Sequence, residues 1–441
     1  MSKFIFCGPA AFGKGGMEKV AIQLANYWSD KKEEIHFGYF SRENQTTPAY
    51  DINADIKLEP WDRVKDSHAE YKKTIINTKP DVFLLFGASS QIIEVVSLLS
   101  NTDIPLIIHE GSNPDRIINE NWARPRKLSY IEAAWEREVI LFQADRIRLT
   151  MPAYLNSLST ALRSKARAFP NAFDISEPKL DTKRKKRIIN IGGLKPNKNI
   201  FPLLQAFKEL KFDYPEWELA IFSAEYVTSK GVEFADKVRA FIVSNGLENN
   251  VKLYGETDNI DIEYEVSSIH VITSLSEGLS SSVAEAMCHG LPSIGIKGVP
   301  GVDGLIKDGR NGILIENKDL ISSLIESLKL LINSEHIRTK LGANALKDAE
   351  KFNSNKIYMN WDEIVQEAIE EKNNKVISSE TEKHYKRVVE SLYISVLNDK
   401  YVSNQSCNSN YEKLIIITSN EAYFDYKNNM LNEDMLLYAY K

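Results

Sequence analysis

The sequence predicts an α/β protein with two doubly wound, Rossmann-like domains that face a cleft, followed by a C-terminal extension. Short apolar strand patterns alternate with amphipathic helix patterns over about 350 residues, as in parallel sheets with crossover helices. After a polar stretch over residues 174–187, the succession of strand, glycine loop and helix occurs a second time. The length of 441 residues also exceeds one ordinary hydrophobic core.

The first predicted domain covers residues 1–175. It begins with a buried strand over residues 4–7, a glycine-rich loop over 8–16 and a helix over 17–28, where apolar residues recur at helical spacing. Further strands are predicted at 35–40, 82–86 and 105–109, further helices at 65–78, 91–100 and 126–142, and a last strand and helix near 145–163.

The second predicted domain covers residues 185–353 and follows a polar linker. Its strands are predicted at 188–191, 218–222, 251–254, 271–273, 293–296 and 312–315, and its helices at 200–211, 231–244, around Glu285, 318–333 and 336–351. A helix over 354–372 is expected to pack back toward the first domain. Residues 373–441 form an extension of unassigned role, with a helix pattern at 380–397. A strand pattern at 413–418 begins either a further module or an accessory hairpin.

Composition excludes several classes of protein. A net charge of -6 disfavours nucleic acid as a partner, because binding phosphates requires a basic surface. The three cysteines lie far apart, so we expect neither a disulfide framework nor a structural zinc site, but a reducing compartment. With no signal-peptide pattern and no membrane-length apolar run, the expected location is the cytoplasm, and a peripheral position at the inner face of the membrane is left open. The basic run at 183–187 is interpreted as a solvated linker, with contact to anionic lipid as the alternative.

The segment 276–292 is the most informative part of the sequence. Glu277 and Glu285 flank a Gly-Leu-Ser-Ser-Ser turn between an apolar strand and the start of an Ala-rich helix. Such a turn directs free backbone N–H groups and the positive end of a helix dipole at one point, which suits a phosphate. Ionised carboxylates on either side suit sugar hydroxyls, since one carboxylate can accept bonds from two neighbouring hydroxyl groups.

Other glycine-rich or charged loops follow strands that end at the same predicted sheet edges. They are the loops over residues 13–16, 109–111 and 192–198. Ligands of doubly wound domains bind outside the carboxyl ends of the strands. Glycines, a lysine, a histidine and two carboxylates on converging loops fit a nucleotide diphosphate that bears a sugar.

At these residues the chain resembles a retaining glycosyltransferase of family 4, with the GT-B fold. Glu277 and Glu285, with seven residues between them and Glu-Ala-Met and Gly-Leu-Pro following, resemble that family's E-x7-E motif. The segment 15–18 resembles its N-terminal glycine loop, 191–198 its phosphate segment, and 108–110 its histidine after a strand. The resemblance spans about residues 1–372.

The resemblance implies a role for each matching residue. Lys198 would neutralise the leaving diphosphate, Glu277 would hold hydroxyls of the donor sugar, and His109 would contact that sugar near the reacting centre. These three are the predicted catalytic residues. Glu285 would bond the ribose hydroxyls. The other predicted donor-binding positions, where backbone approaches phosphate or sugar, are Gly15, Gly16, Gly193, Gly278, Leu279, Ser280 and Ser281.

The chain departs from the family pattern at two places. Gly193 stands where the family has arginine, so half of the usual cationic clamp is missing, and Lys195 or another cation would have to substitute. The glycine-containing turn that usually follows the next strand is absent at 221–225. Because that turn lies near the nucleotide base, the base is left open between UDP- and GDP-linked donors.

A basic segment after His109 is predicted to line the acceptor side. It contains Asn113 and Arg116, with Arg124, Arg126 and Lys127 beyond. Its charge suits a saccharide acceptor that is phosphorylated or linked to a lipid pyrophosphate. Surface charges that bind nothing are the alternative.

The resemblance implies transfer of a hexose-type sugar to a hydroxyl with retention at the anomeric carbon, without a metal or other cofactor. By family analogy the setting is bacterial polysaccharide or glycolipid assembly. One alternative is a catalytically weak or inactive GT-B subunit that supports a partner transferase, which the glycine at 193 favours. A nicotinamide-dependent oxidoreductase is disfavoured because the first loop lacks a GxGxxG pattern.

Overall fold

A computed structural model describes most of the chain. The described residues are 2–8, 15–40, 50–61, 67–87, 93–99, 102–114, 137–175, 184–223, 229–255, 257, 259–374, 413–416 and 437–440. They divide into two compact units, one formed by Met1–Phe169 with Tyr358–Lys441 and the other by Pro170–Ile357. The predicted helix at 380–397 and residues 126–136 of another predicted helix lie outside the described residues.

The first unit is built on a seven-stranded parallel sheet with the strand order β3-β2-β1-β4-β5-β6-β7. Its strands are β1 Lys3–Gly8, β2 Glu34–Phe40, β3 Lys57–Trp61, β4 Val82–Phe86, β5 Leu106–Glu110, β6 Arg146–Leu149 and β7 Ala166–Ala168. Its helices include α1 Gly16–Asp30, α2 Ser67–Thr78, α3 Ile93–Leu99 and α4 Thr160–Arg163, with a 3-10 helix at Pro152–Ser157. The order reverses between β1 and β4, which is the switch point at which such sheets bind ligands.

The second unit has a six-stranded parallel sheet with the order β10-β9-β8-β11-β12-β13. Its strands are β8 Arg187–Ile191, β9 Glu218–Phe222, β10 Val251–Tyr254, β11 Ile269–Val271, β12 Ser293–Ile296 and β13 Gly312–Ile315. Its helices are α5 Phe201–Leu210, α6 Ser229–Ser244, α7 Ile260–Val266, α8 Ser281–Cys288, α9 Pro300–Asp303, α10 Leu320–Asn333 and α11 Glu335–Asp348, with short 3-10 helices at Pro196–Lys198 and Ala349–Phe352. The switch point here lies between β8 and β11.

Helix α12, Ser354–Asn374, joins the first unit from Tyr358 onward. Asp362 accepts hydrogen bonds from the Tyr27 hydroxyl at 2.7 Å, from Trp28 Nε1 at 2.8 Å and from Lys31 Nζ at 2.6 Å. Tyr358 stacks on Tyr27 with ring centroids 4.3 Å apart. A carboxylate with three donors therefore fixes α12 against α1.

The two parallel sheets confirm the predicted α/β, doubly wound fold class. The sequence patterns missed two strands at the edges of the first sheet. β3 contains Pro60 and two charged residues, and β7 is only three residues long. Edge strands are short and carry such residues because they do not need two apolar faces. The predicted strand at 271–273 also lies two residues too late, because Ile272 and Thr273 already belong to the loop that follows β11.

At the C-terminal end, Lys413–Ile416 pairs antiparallel with Leu437–Tyr440.

Candidate functional site

The loops that follow β8 and β11 meet at the switch point of the second sheet. The backbone N–H of Leu275 donates to Asn197 O at 3.0 Å, and the Thr273 hydroxyl donates to Lys198 O at 3.1 Å. Under the loops, Asn190 Nδ2 donates to Val271 O at 2.8 Å and ties the two strands together. The two loops are therefore held as one surface outside the carboxyl ends of the strands.

Lys198 and Glu277 form an ion pair on this surface. Lys198 ends the short 3-10 helix after β8, and Asn199 behind it adopts a left-handed backbone conformation (φ 50°) that turns the chain into α5. The Lys198 Nζ lies 2.5 Å from Glu277 Oε1, with side-chain exposures of 28% and 12%. Two predicted catalytic groups that are 79 residues apart in sequence thus lie side by side.

The turn after Glu277 leads directly into helix α8. Ser280 is the N-cap residue and its hydroxyl accepts from the backbone N–H of Val283 at 3.5 Å. Ser280 and Leu279 are buried, whereas Gly278 and Ser281 are partly exposed. Only three residues separate Glu277 from the first residue of α8, so the positive end of the helix dipole lies on the same loop as the Lys198–Glu277 pair.

Helix α9 supports this turn from the other side. The backbone N–H of Ser280 donates to Gly301 O at 3.1 Å. A Cβ atom at Gly301 would lie 2.5 Å from Gly278 O and 2.6 Å from Glu277 O. Only glycine fits at position 301 with the turn in this place, because both neighbouring atoms are backbone.

Glu285 lies on α8 and contacts a buried tyrosine. The Tyr264 hydroxyl donates to Glu285 Oε2 at 3.0 Å and also lies 3.1 Å from Ser282 O. His289, the C-cap residue of α8, lies with its Nδ1 2.8 Å from Glu285 O and stacks on the Tyr264 ring. The carboxylate predicted to bind ribose is therefore fixed by a hydrogen bond from a buried side chain of the second unit.

The position of the missing arginine, Gly193, lies in the loop between β8 and Lys198. Its carbonyl accepts from the backbone N–H of Lys195 at 2.8 Å, and Lys195 is exposed. Leu194 N donates to the Ser223 hydroxyl at 3.2 Å, which connects the loop to the end of β9. Lys195 is the cationic residue nearest to Gly193 in the sequence, so it is the candidate to replace the missing arginine.

A basic residue that precedes β8 holds the far end of α8. The Arg184 guanidinium donates to Ser267 O at 2.7 Å and to His289 O at 2.6 Å, the C-cap residues of α7 and α8. The interpretation of 183–187 as a solvated linker is wrong for Arg187, which is buried in β8 and pairs with Glu218 and Glu263. Arg184 is exposed, but its guanidinium bridges two helix ends. Helix ends leave carbonyl groups without partners, and a nearby guanidinium satisfies them.

We expect Arg184→Met to destabilise the second unit by about 1.5 kcal/mol, the lower end of the usual worth of hydrogen bonds from a charged donor, because the side chain is exposed to solvent. The matched control is Lys186→Met in the same basic run, where an exposed lysine pairs with Glu216 at 2.9 Å. Removing such a surface pair changes stability little, because both side chains are exposed to solvent. Urea unfolding of both variants measures the difference, and equal midpoints would contradict the capping role of Arg184.

In the first unit, Gly15 and Gly16 begin helix α1. Gly15 is the N-cap residue without a side-chain cap, and Gly16 is the first helical residue. The Glu18 carboxylate folds back over this helix start, where it occupies the space that a Cβ atom of Gly15 would need. The preceding residues 9–14 of the predicted glycine loop lie outside the described residues.

His109 is buried at the carboxyl end of β5. Arg148 Nη1 lies 3.0 Å from its Nδ1, and the rings of Phe86 and Trp361 pack edge-on against the imidazole. Burial, and after it the positive charge of Arg148, lowers the pKa of His109 well below its usual value. The imidazole is therefore neutral, and it accepts from a guanidinium that can only donate. The predicted contact of His109 with a donor sugar stays a prediction.

The residues next to His109 are also buried. Glu110 forms an ion pair with Arg137, whose Nη2 lies 2.5 Å from Glu110 Oε2, and both side chains are inaccessible to solvent. A Cβ atom at Gly111 would lie 3.0 Å from His109 Nε2, so the chain passes closely over the imidazole. Of the predicted acceptor-side residues, Asn113 is buried, whereas Arg116 lies outside the described residues.

The described residues contain neither a metal-binding cluster nor a membrane-spanning helix. In this part of the chain, no group of three or more His, Cys, Asp or Glu side chains could hold a metal ion. None of the helices that the structure describes is both long enough and apolar enough to cross a membrane.

Comparison with known proteins identifies the class of domain to which this surface belongs. Residues 172–348 match the family Glycosyl transferases group 1. The second unit therefore carries a glycosyltransferase group 1 domain. The match includes Lys198, Glu277 and Glu285.

Longer similarities cover both units. The chain is 22% identical over 370 residues to a Campylobacter jejuni α-1,4-N-acetyl-D-galactosaminyltransferase that acts on an undecaprenol-diphosphate-linked saccharide, covering 81% of this chain and 97% of that protein. Sucrose-phosphate synthase from Thermosynechococcus elongatus superimposes with a TM-score of 0.70 at 15% identity over 83% of this chain and 98% of that chain. HepE from Anabaena, in complex with UDP and glucose, gives a TM-score of 0.66 at 18% identity, covering 83% of this chain and all of that chain. These structural likenesses confirm the predicted GT-B fold.

Some residues of this surface gave no signal in the sequence. Tyr264 looks like an ordinary core aromatic of a short helix, and Gly301 follows a Val-Pro pair that indicates only a turn. Thr273 and Asn190 act through side-chain bonds to distant backbone. The partners of all four lie far away in sequence, so only the folded chain reveals their roles.

Proposed function

We propose that the protein transfers a hexose-type sugar from a nucleotide diphosphate, UDP or GDP, to a hydroxyl acceptor with retention at the anomeric carbon. The observation that supports this most directly is the Lys198–Glu277 pair at 2.5 Å beside the start of α8. A cation, a helix N-terminus and a carboxylate at one point match the charges and hydroxyls of a sugar diphosphate.

In the proposed reaction, the residues of this surface stabilise the leaving group. Lys198 and the backbone N–H groups at the start of α8 neutralise the charge that develops on the departing diphosphate. Glu277 accepts bonds from hydroxyls of the transferred sugar, and Glu285 accepts bonds from the ribose. The acceptor hydroxyl attacks from the face on which the diphosphate leaves, and the leaving phosphate takes its proton. This chemistry needs no metal.

The comparisons support the substrate classes. The Anabaena neighbour binds UDP and glucose, and the Campylobacter relative extends a saccharide on a lipid diphosphate. We therefore propose a saccharide or a lipid-linked saccharide as the acceptor, and polysaccharide or glycolipid assembly as the setting.

Thermal unfolding with a panel of nucleotides tests the donor class. A ligand present at about 100 times its Kd stabilises a protein by about 2.7 kcal/mol, which raises the Tm of a domain of this size by about 5–10 °C. We expect this shift with UDP or GDP, and a larger one with the matching sugar nucleotide. NAD serves as the control and should give no shift. A shift with NAD alone would favour an oxidoreductase and overturn the proposal.

The glycine at position 193 favours a second candidate, a GT-B subunit that binds a donor poorly and supports a partner transferase. A donor-hydrolysis assay on the protein alone separates the two, because an active transferase slowly passes its sugar to water. Release of nucleotide diphosphate would show that the protein is an active transferase. Proton NMR would then show whether the released or transferred sugar keeps the donor's anomeric configuration, as a retaining enzyme requires. Donor binding without any turnover on a panel of saccharide acceptors supports the subunit.

A further inference from the structure

The carboxylate of Glu285 is held by a side chain that plays no part in the scheme above. Tyr264 on α7 is fully buried, and its hydroxyl donates to Glu285 Oε2 at 3.0 Å. The same hydroxyl lies 3.1 Å from Ser282 O, so its single hydrogen serves two acceptors on α8. This contact joins the buried core of the second unit to the predicted ribose-binding group.

The core fixes where the hydroxyl lies. The Tyr264 ring stacks on the His289 ring, with centroids 5.2 Å apart and planes 19° apart. It also belongs to a hydrophobic cluster with Ile189, Ala220, Phe222, Ala286 and Leu291. A ring packed on every side has one rotamer, because core side chains cannot change conformation without opening a void. The position of the Tyr264 hydroxyl oxygen relative to Glu285 is therefore fixed by core packing.

In the Tyr264–Glu285 pair, the tyrosine hydroxyl is always the hydrogen-bond donor. Burial, and after it the charge of the Glu285 carboxylate, raises the pKa of Tyr264 well above its usual value. The phenol therefore keeps its hydrogen at neutral pH. A carboxylate only accepts, so the direction of this hydrogen bond is fixed.

We infer that Tyr264 is a positioning residue for ribose recognition: its hydroxyl holds the Glu285 carboxylate in the orientation that accepts bonds from the two ribose hydroxyls of a nucleoside diphosphate. The inference rests on the proposed function, because it takes the ligand of Glu285 from it. A free glutamate side chain loses rotamer freedom when it binds, and this loss weakens the complex. A glutamate that is already held loses less, so the hydroxyl of Tyr264 strengthens binding without touching the nucleotide.

The test measures how strongly each variant distinguishes UDP from 2′,3′-dideoxy-UDP, which lacks both hydroxyls. The variants are Tyr264→Phe, Glu285→Ala and the double variant, each titrated by calorimetry. If the wild type prefers GDP, the guanosine pair replaces the uridine pair. Phenylalanine keeps the ring stack and removes only the hydroxyl.

We expect Tyr264→Phe to bind UDP roughly tenfold more weakly than the wild type, consistent with the loss of one hydrogen bond to a charged group. The same variant should bind the dideoxy compound as the wild type does. In the Glu285→Ala background the tyrosine change should have no further effect.

The matched control is Tyr214→Phe, which removes a hydroxyl that accepts from Asn333 Nδ2 at 2.7 Å elsewhere in the same unit. It should leave both affinities unchanged. Equal weakening of UDP and the dideoxy compound by Tyr264→Phe would show a purely structural role and overturn the inference. Wild-type affinity for UDP in Tyr264→Phe would overturn it as well, while the proposed function would stand. A wild type that binds neither UDP nor GDP would overturn the proposed function, and the inference with it.

Discussion

Replacing Lys198 with alanine is expected to lower kcat/KM for sugar transfer by about 100- to 1000-fold, the usual effect of removing one group that stabilises a developing anion. The lysine is the cation that the structure places next to Glu277 and the start of α8. With Gly193 in place of arginine, no second cation at that position shares this role. The measurement uses the nucleotide sugar that the wild type selects in the thermal panel.

A lysine in a surface pair of the same unit provides the control for Lys198. Lys237 pairs with Glu233 at 2.7 Å on α6, and both side chains are more than half exposed. Lys237→Ala should keep wild-type kcat/KM, since such pairs contribute little to stability. Thermal unfolding of Lys198→Ala shows whether the variant is folded. A folded Lys198→Ala variant that transfers sugar at the wild-type rate would refute the assigned mechanism.

Substitution of Lys195 tests whether this lysine replaces the positive charge of the missing arginine. If this exposed lysine supplies the second charge, Lys195→Ala lowers donor affinity, and combining it with Lys198→Ala lowers it further. If the start of α8 alone supplements Lys198, the Lys195 variant behaves as the wild type. The notion of an inactive subunit depends on the same residue, because a site with one cation binds a diphosphate more weakly than a site with two.

The fold class can be predicted from the sequence because the strands and helices of both domains have hydrophobic patterns that are visible within each element. Buried parallel strands are short apolar runs, and the helices between them have one apolar face, so β8 and α5 are readable without their neighbours. The edge strands β3 and β7 were missed because an edge strand lacks that signature. The sequence predicts strand at the start of the loop after β11 because Ile272 and Thr273 have high strand propensity.

The candidate site was predictable to the extent that its residues lie in motifs. Lys198 and Glu277 were each proposed from a loop, and the strand order explains their proximity, because β8 and β11 are neighbours at the switch point. Their roles stay predictions, as do those of His109 and Glu285. The supporting contacts were not predictable: Arg148 beside His109 and Arg184 across two helix ends read as ordinary strand and linker residues.

Replacing Gly301 with alanine is expected to lower kcat/KM for transfer by about 100-fold, the effect of displacing reacting groups by about 1 Å. The added methyl group would lie 2.5 Å from Gly278 O and 2.6 Å from Glu277 O. Both contacts are with backbone, so the turn that carries Glu277 and opens α8 must move, and the Ser280 N–H bond to Gly301 O weakens with it. Calorimetric titration with UDP should show weaker binding as well, because the displaced turn also presents the backbone N–H groups assigned to the diphosphate.

The control is a glycine that is equally crowded but lies at the opposite end of α8. A Cβ atom at Gly342 in α11 would collide with the Gly290 carbonyl just past that helix. Both alanine variants should lower the Tm, since overpacking costs about 1–3 kcal/mol. Only Gly301→Ala should lose activity when both are assayed well below their unfolding temperatures. Equal losses would mean that general loosening of the unit, not displacement of the Glu277 turn, reduces transfer; full activity of Gly301→Ala would show that the chemistry does not depend on the position of this turn.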